Sequence, residues 1–266
     1  ASHAIRTRHA STFEGIESLE QRLSLSTIHW TGCGDGVTLN SKYNWQCNQL
    51  PGSYDTAIVD VAGTPQIKLS AGSFSVKTFI FKESLTVTGG TLNVGSGGTA
   101  LSGSMAMQGG QFGGAGQLSV TGTLSWTGGK IIGTGKVDVA AGAQFDINGS
   151  GSLELGRDIA NRGKIVWRGG DIDGSDANGN TILNDTGGVF RALGSARFRS
   201  ITAPGLVDNR GTFVRDEAGH TRILTSFSNS GTMNVAGGTL ELWGGGTNSG
   251  ARNIAQGATL HYFGDF

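Results

Sequence analysis

The chain repeats itself after 19 residues: Gly114-Ala-Gly-Gln-Leu-Ser-Val120 is followed by Gly133-Thr-Gly-Lys-Val-Asp-Val139. In each copy a glycine-rich turn precedes a short stretch in which apolar and polar residues alternate. A period of two is typical of a strand that buries one face. A short unit that returns along the chain in this way is typical of a repeat protein whose units stack on one another.

A second signature recurs around these strands, an apolar residue followed by any residue and then Gly-Gly. It is found at Val87–Gly90, Met107–Gly110, Trp126–Gly129, Trp167–Gly170, Val235–Gly238 and Trp243–Gly246. The first three copies start 20 and 19 residues apart, so they follow the same repeat. The register places the recurring Trp126, Trp167 and Trp243 in the core.

A third signature, an asparagine just before a glycine, marks the second half of the chain. The asparagines are spaced by 23, 25, 20 and 19 residues, at Asn161, Asn184, Asn209, Asn229 and Asn248. Asparagine and glycine both tolerate the left-handed backbone of sharp turns. We therefore predict that these asparagines occupy corners of successive units, where their amides stack and hydrogen-bond along the stack.

These signatures predict an all-β, single-domain parallel β-solenoid of about ten coils, with a short N-terminal helix or cap. The period is too short for propeller blades, which repeat at about 40 residues or more. An antiparallel barrel is the competing fold. We divide the chain into an N-terminal capping or sorting segment (1–27), a lead-in segment (28–54) and the solenoid (55–266).

The composition excludes several classes of protein. Glycine contributes 47 of 266 residues without a period of three, and proline only 3, so the chain is not collagen-like. Because 36% of residues are apolar and the net charge is zero, the chain can bury a core and lacks the basic surface that nucleic acid requires. No apolar run is long enough to predict a membrane-spanning helix.

The lead-in segment contains both cysteines of the chain, Cys33 and Cys47. A disulfide between them would close a short loop and would suit an oxidising, extracellular setting. Two free thiols are the alternative.

The N-terminal segment has the pattern of an amphipathic helix over 12–23, because Ser11-x-x-Glu14 is a capping box and apolar residues follow at helical spacing. Within Phe13–Ser26, the run Leu19-Glu-Gln-Arg22 followed by Leu-Ser-Leu-Ser resembles a stretch found near the N-termini of many secreted planctomycete proteins. The N-terminal segment is therefore interpreted either as a sorting or processing segment or as a cap that shields the first coil.

A second resemblance covers the rest of the chain. Ile28-His-Trp-Thr-Gly32, Tyr43-Asn-Trp45, Leu50-Pro-Gly52 and Asp55-Thr-Ala57, with the glycine-rich coils after them, resemble the solenoids of large bacterial surface proteins of the autotransporter and adhesin type. This resemblance implies an extracellular or cell-surface location. It implies no shared catalytic residues.

Oxygen-bearing side chains cluster once, at Asp171, Asp173, Asp176, Asn178 and Asn180. Such a set suits calcium, although the closing glutamate of an EF-hand is missing, and an exposed turn is the alternative. On a strand Asp171 and Asp173 would face the same side, as the carboxylates of a glycosidase do, with Lys164 and Arg168 nearby for a lyase.

Two surfaces are candidates for partners. Eight arginines fall within 61 residues and would serve an acidic polysaccharide or a neighbouring subunit if they shared a face: Arg162, Arg168, Arg191, Arg197, Arg199, Arg210, Arg215 and Arg222. Seven carboxylates lie in the same stretch, so a mixed, solvated surface is the alternative. At the C-terminus, Tyr262, Phe263 and Phe266 either fold over the last coil or leave it free to pair with another molecule.

We therefore expect an extracellular structural surface protein that self-associates through its solenoid ends into a fibre, layer or matrix. It is not expected to be an enzyme or to need a cofactor. A carbohydrate-binding or adhesive module is the first alternative, with Trp30, Tyr43 and Trp45 as exposed aromatics along a groove. A polysaccharide lyase or hydrolase is the second.

Overall fold

The computed structural model describes residues 26–63 and 65–266, and within them the chain is an all-β parallel solenoid. The predicted helix over 12–23 and the segment that resembles planctomycete proteins lie outside these residues, apart from Ser26. Two single 3-10 turns, Lys42–Asn44 and Gln46–Asn48, precede the main body. The strands are β1 (Thr27–His29), β2 (Thr56–Val59), β3 (Gln66–Leu69), β4 (Ser73–Phe81), β5 (Ser84–Val87), β6 (Thr91–Leu101), β7 (Ser104–Gly113), β8 (Leu118–Val120), β9 (Thr123–Ile132), β10 (Val137–Val139), β11 (Gln144–Gly156), β12 (Ile159–Asn161), β13 (Lys164–Gly174), β14 (Thr181–Asn184), β15 (Val189–Ala192), β16 (Ala196–Ser200), β17 (Leu206–Asn209), β18 (Thr212–Ile223), β19 (Ser226–Asn229), β20 (Thr232–Leu242), β21 (Gly246–Asn248), β22 (Ala251–Ile254) and β23 (Thr259–Tyr262).

Each coil contributes three strand segments, and successive coils pair in parallel to give three flat faces. Face 1 holds β1, β2, β8, β10, β12, β14, β17, β19, β21 and the C-terminal halves of β4 and β6. Face 2 holds β3, β5, β15, β22 and the N-terminal halves of β7, β9, β11, β13, β18 and β20. Face 3 holds β16, β23, the N-terminal halves of β4 and β6, and the C-terminal halves of the long strands of face 2. About ten coils stacked at ~4.8 Å give a rod on the order of 50 Å long.

The core is one apolar column that runs along the solenoid axis. The structure confirms the predicted alternation of apolar and polar residues, because strands such as β5, β8 and β19 bury every second side chain. Aromatic rings stack between coils, with Phe190 on Phe213 at 5.3 Å and then Phe213 edge-on to Phe227 at 5.4 Å. Such ring pairs add stability beyond the area that they bury.

The corner between faces 2 and 3 is built by the Gly-Gly signature. Gly90, Gly110 and Gly129 have φ of 69°, 63° and 76°, a conformation that side chains rarely adopt. A Cβ on Gly110 would lie 2.5 Å from the carbonyl oxygen of Gly90, and one on Gly129 equally close to that of Gly110. Glycine is therefore required both for the turn and for the close approach of the next coil.

The lead-in segment covers the N-terminal end of the column. Trp45 is 1% exposed, stacks on Phe74 at 5.3 Å and donates its indole N–H to the carbonyl of Leu39. Trp30 meets Trp45 edge-on and is also buried. Thr38 pairs with Lys68 of β3, so the segment also shields the first strand edge of face 2.

The expected disulfide is not formed, because Cys33 and Cys47 are both free and exposed. Trp30 and Trp45 form an antiparallel bridge, and from this bridge the chain runs on to the two cysteines in opposite directions. The loop is held instead by the buried Asn44. Its amide oxygen accepts from the backbone of Gly34 and Gly36, and its amide nitrogen donates to Asp35 and Thr38.

None of the helical segments in the described part of the chain has the length and apolar character needed to cross a bilayer.

Candidate functional sites

The predicted asparagines form a continuous hydrogen-bonded ladder at the corner between faces 1 and 2. Each amide nitrogen donates to the amide oxygen of the asparagine on the next coil, over 2.8, 2.7, 2.6 and 2.7 Å, from Asn161 through Asn184, Asn209 and Asn229 to Asn248. The second N–H of each of the first four donates to a backbone carbonyl of the coil that follows. The first four side chains are buried, so the ladder satisfies polar groups inside the column.

The five residues considered for calcium are not brought together as one set of free oxygens. Asp171 and Asp173 lie on face 3, where Arg197 and Arg199 engage them. Asp176 and Asn178 lie in the following turn, and Asp176 accepts the backbone N–H of Asn178.

The fifth residue of that set, Asn180, is buried and serves the backbone of the turn. Its amide oxygen accepts from the backbone of Asp176, and its amide nitrogen donates to the carbonyl of Arg157. Among the described residues, no group of three or more His, Cys, Asp or Glu side chains is placed to hold a metal. The contacts are those of a turn.

The pair Asp171 and Asp173 does share one side of β13, because Ile172 between them is buried. Asp173 accepts from Ser152 and from both Nε and Nη2 of Arg199. The hydrogen bonds from Arg199 hold the pKa of Asp173 below its usual value. A general acid of a glycosidase needs a raised pKa, so this environment does not suit that role. Lys164 lies on face 2, across the Gly-Gly corner.

The aromatic residues expected along a carbohydrate groove do not form one. Trp30 and Trp45 are 3% and 1% exposed, so the expectation that they lie on the surface was wrong, and of the three only Tyr43 is exposed. The placement of Trp243 in the core was also wrong, since it is 45% exposed and stacks on Phe263 at 4.0 Å. Trp126 and Trp167 are buried as predicted, and each donates its indole N–H to the last glycine of its own Gly-Gly turn.

Two arginines are buried inside corners of the solenoid, which the sequence patterns did not predict. Arg157 is 1% exposed, donates to the carbonyls of Ile132, Gly116 and Gly114, and lies over the ring of Phe112. Burial lowers its pKa to about 10, so it stays charged at neutral pH.

Arg215 is the second buried arginine. It is fully buried and donates to the carbonyls of Ala192, Leu193 and Ala218. The strand pattern gave no signal for either residue, except that Arg215 occupies an inward position of β18.

The remaining arginines are distributed over the faces, most of them paired with a carboxylate. Arg162 and Arg210 pair with Asp138 and Asp208 on face 1, where each arginine follows the end of a strand. Face 3 carries the densest group, in which the ion pairs are Lys130–Glu154, Arg197–Asp171, Arg199–Asp173 and Arg222–Glu241. The eight arginines therefore do not form one patch.

Among the described residues no further coil is stacked on the C-terminal coil, although the backbone N–H of Gly246 at the start of β21 donates to the carbonyl of Asp265 over 2.8 Å. Each of β21, β22 and β23 pairs with a strand of the preceding coil, and no described strand pairs with its other edge. Exposed apolar side chains lie around this edge, with Ile254 51%, Phe263 52% and Phe266 42% exposed. Phe266 contacts the ring of Tyr262 at 4.5 Å, so the three aromatic residues fold partly over the coil without closing it.

No protein-family model, curated protein or solved structure matches this chain.

Proposed function

We propose that this protein is an extracellular structural module that self-associates end to end through its C-terminal coil, as a building block of a fibre, layer or matrix. The edge of β21, β22 and β23 that no described strand covers carries the proposal. Unpaired strand edges are templates for pairing with another chain, and natural proteins usually cover them. In this proposal the chain is a scaffold and not an enzyme.

Two further observations support the same surface. Asn248 ends the ladder with an amide nitrogen that has no acceptor among the described residues, so one more strand would continue the stack. Ile254 and Phe263 would leave water on association, and apolar burial is the main favourable contribution to protein contacts. The opposite end is covered by Trp30 and Trp45, which leaves the C-terminal coil as the end with an uncovered strand edge among the described residues.

Sedimentation velocity on the full chain tests the proposal, with Ile254→Lys as the variant and Ile201→Lys as the matched control. The two isoleucines are 51% and 54% exposed, but Ile201 lies at a corner of the body. We expect concentration-dependent association of the wild type, weakened about tenfold by Ile254→Lys and unchanged by Ile201→Lys. A wild type that stays monomeric at millimolar concentration, without fibres or layers under the electron microscope, would refute the proposal.

A further inference from the structure

Face 3 contains a polar cavity that the self-association does not use. It has a volume of about 370 Å³ and is lined by Asp171, Ser195, Ala196, Arg197, His220 and Arg222. The volume falls within the range of small-ligand sites, roughly 300–1,000 Å³. The lining residues come from three successive coils, β13, β16 and β18, so the rigid stack of the solenoid fixes their relative positions.

Four charged side chains follow one another across neighbouring strands of face 3, on β13, β16, β18 and β20. Asp171 stands at one end, Arg197 and Arg222 are register neighbours in the middle, and Glu241 follows on β20. Like charges on directly opposed strand positions are destabilising. Asp171 and Glu241 flank the arginine pair, and each carboxylate pairs with the arginine next to it, so no carboxylate stands between the two arginines in this row.

Both arginines keep unused donors. Arg222 donates to Glu241 through Nε alone, over 3.0 Å. Nε of Arg197 lies 2.9 Å from Asp171 but at a poor angle, so this buried nitrogen has no hydrogen-bond partner. Within the described residues, no hydrogen bond engages the terminal nitrogens of either side chain. A guanidinium group with free terminal nitrogens matches the geometry of a carboxylate, and two such groups line this cavity.

Three other polar side chains line the cavity beside the two arginines. The ring of His220 lies 3.2 Å from Glu241 through Nδ1, which leaves Nε2 without a partner in the described chain. The hydroxyl of Ser195 accepts the backbone N–H of His220 and retains its own proton for donation. Asp171 adds carboxylate oxygens that accept from hydroxyl groups. This mixture of partners suits a ligand that carries several hydroxyl groups beside its negative charge.

A second polar cavity lies on the same face. It has a volume of about 290 Å³ and is lined by Gly129, Lys130, Ser152, Glu154, Asp173 and Ile201. Strand β13 lines both cavities, with Asp171 in the first and Asp173, two residues on, in the second. A ligand made of several linked units would span both, whereas a small anion would occupy only the first.

From these contacts we propose that face 3 binds an acidic polysaccharide, with the carboxylate of one uronate unit held between Arg197 and Arg222. The hydroxyl groups of the same sugar meet Ser195, His220 and Asp171, and neighbouring units extend over the second cavity. The site is independent of the C-terminal coil, so it would serve equally in a monomer or in an assembly.

Isothermal titration calorimetry with a galacturonate tetramer tests this assignment on the full chain. We expect measurable binding by the wild type and a loss of about tenfold or more in affinity for Arg197→Gln and for Arg222→Gln. Arg210→Gln is the matched control, because Arg210 is also exposed and paired with an aspartate but lies on face 1. The affinity of the Arg210→Gln variant for the tetramer should equal that of the wild type. Thermal melting of each variant verifies that it is folded.

Titrations with modified tetramers show which chemical group of the ligand is recognised. The methyl-esterified tetramer should not bind, because its carboxylates are neutral. Absence of binding by the wild type at millimolar tetramer would overturn the proposal, as would an equal loss for Arg210→Gln, which would indicate general attraction to polyanions. Binding of a sulfated tetramer but not of the uronate would show that the anion class is wrong. Sedimentation of the same variants should be unchanged, so this test and that of the self-association fail separately.

Discussion

At the scale of single residues, the stability of this fold depends on buried polar groups that the strands cannot satisfy. Where the corner between faces 3 and 1 turns, backbone carbonyls face inwards without a strand partner. Arg157 fills this space and serves carbonyls of two earlier coils at once. A charged side chain is tolerated there because every carbonyl that surrounds it is an acceptor.

Replacement of this side chain should therefore be costly. Arg157→Met keeps much of the volume but leaves the carbonyls of Gly114, Gly116 and Ile132 without donors, and we expect a loss of about 3 kcal/mol in the free energy of unfolding. Arg162→Met is the control, since its pair with Asp138 is exposed and should contribute about 1 kcal/mol at most. Urea unfolding measures both. Equal losses in the two variants would contradict the role given to Arg157.

The stability of the lead-in segment depends on pH through the carboxylate of Asp35. Its carboxylate accepts from the hydroxyl of Thr38, the amide of Asn44 and the backbone of Thr38 and Val37, and these bonds hold its pKa well below the usual range. The unfolded chain therefore takes up the proton first as the pH falls. The stabilisation is fully present above about pH 4 and is lost progressively below it.

We expect Asp35→Asn to reduce stability at neutral pH and to flatten the decline between about pH 4 and pH 2. Asp60→Asn, which removes one exposed pair with Lys82, should leave that decline unchanged. Denaturant unfolding at a series of pH values gives the comparison. A decline that is as steep in Asp35→Asn as in the wild type would assign the acid sensitivity to other carboxylates.

At the scale of the structural element, the corner between faces 1 and 2 changes its chemistry halfway along the rod. Val139 occupies the position that Asn161 takes on the next coil, and Val120 precedes it in register. The same corner is therefore packed with apolar side chains in the first coils and with hydrogen-bonded amides in the later ones. Asn161 is the junction and has an asparagine neighbour on one side only.

This difference predicts unequal costs for one substitution. Asn209→Val removes the acceptor of Asn184 and the donor to Asn229, so two buried amides lose partners, and we expect a loss of about 2–3 kcal/mol. Asn161→Val extends the apolar stack of Val139 and breaks only one bond of the ladder, to Asn184, together with backbone bonds to Val189 and Gly163, so a smaller loss of about 1–2 kcal/mol is expected. Thermal or urea unfolding compares them. If Asn161→Val were the more damaging, the ladder would not be a cooperative element.

The same elements show how far the sequence predicts the fold. The period of two, the Gly-Gly turns and the asparagine spacing depend on local backbone geometry, so they predicted strands, corners and stacking correctly. The prediction for Trp243 was wrong because Trp243 shares the Trp-x-Gly-Gly signature of Trp126 and Trp167. In the structure it follows the buried Leu242 at the end of face 3, and its side chain therefore points outwards. Register within a coil, unlike repeat length, depends on contacts that are distant in sequence.

The site residues were predicted less well for the same reason. Asp171 and Asp173 were correctly placed on one face, but nothing in their own segment indicated that Arg197 and Arg199 from the next coil would engage them. The pairing of Arg197 with Arg222 likewise requires the register of β16 and β18, which are separated by a full coil. Trp45 became buried because the lead-in segment folds back over the column, which no local pattern indicated.

At the scale of the whole molecule, the rod is asymmetric along its axis. Its N-terminal end is closed by two buried tryptophans, and residues 84–129 carry no charged side chain. Apart from Lys82–Asp60, the ion pairs lie in the later coils, as do the buried arginines and the asparagine ladder, and no described strand covers the last coil. Stability in a stacked repeat is approximately a sum of coil and interface contributions, so the two ends should respond differently to similar changes.

A pair of tryptophan substitutions tests this asymmetry. Trp45→Ala removes a ring that stacks on Phe74, meets Trp30 and donates to Leu39, and a buried Trp→Ala change costs about 3–5 kcal/mol. Trp243→Ala removes an indole that is 45% exposed at the open end, and we expect a cost of about 1 kcal/mol. Hydrogen exchange should show lost protection in β2 to β5 for the first variant, and only around β20 to β23 for the second. Because each coil contacts only its neighbours, the loss should fade along the rod, whereas a uniform loss over all coils would mean that the solenoid unfolds as one cooperative unit.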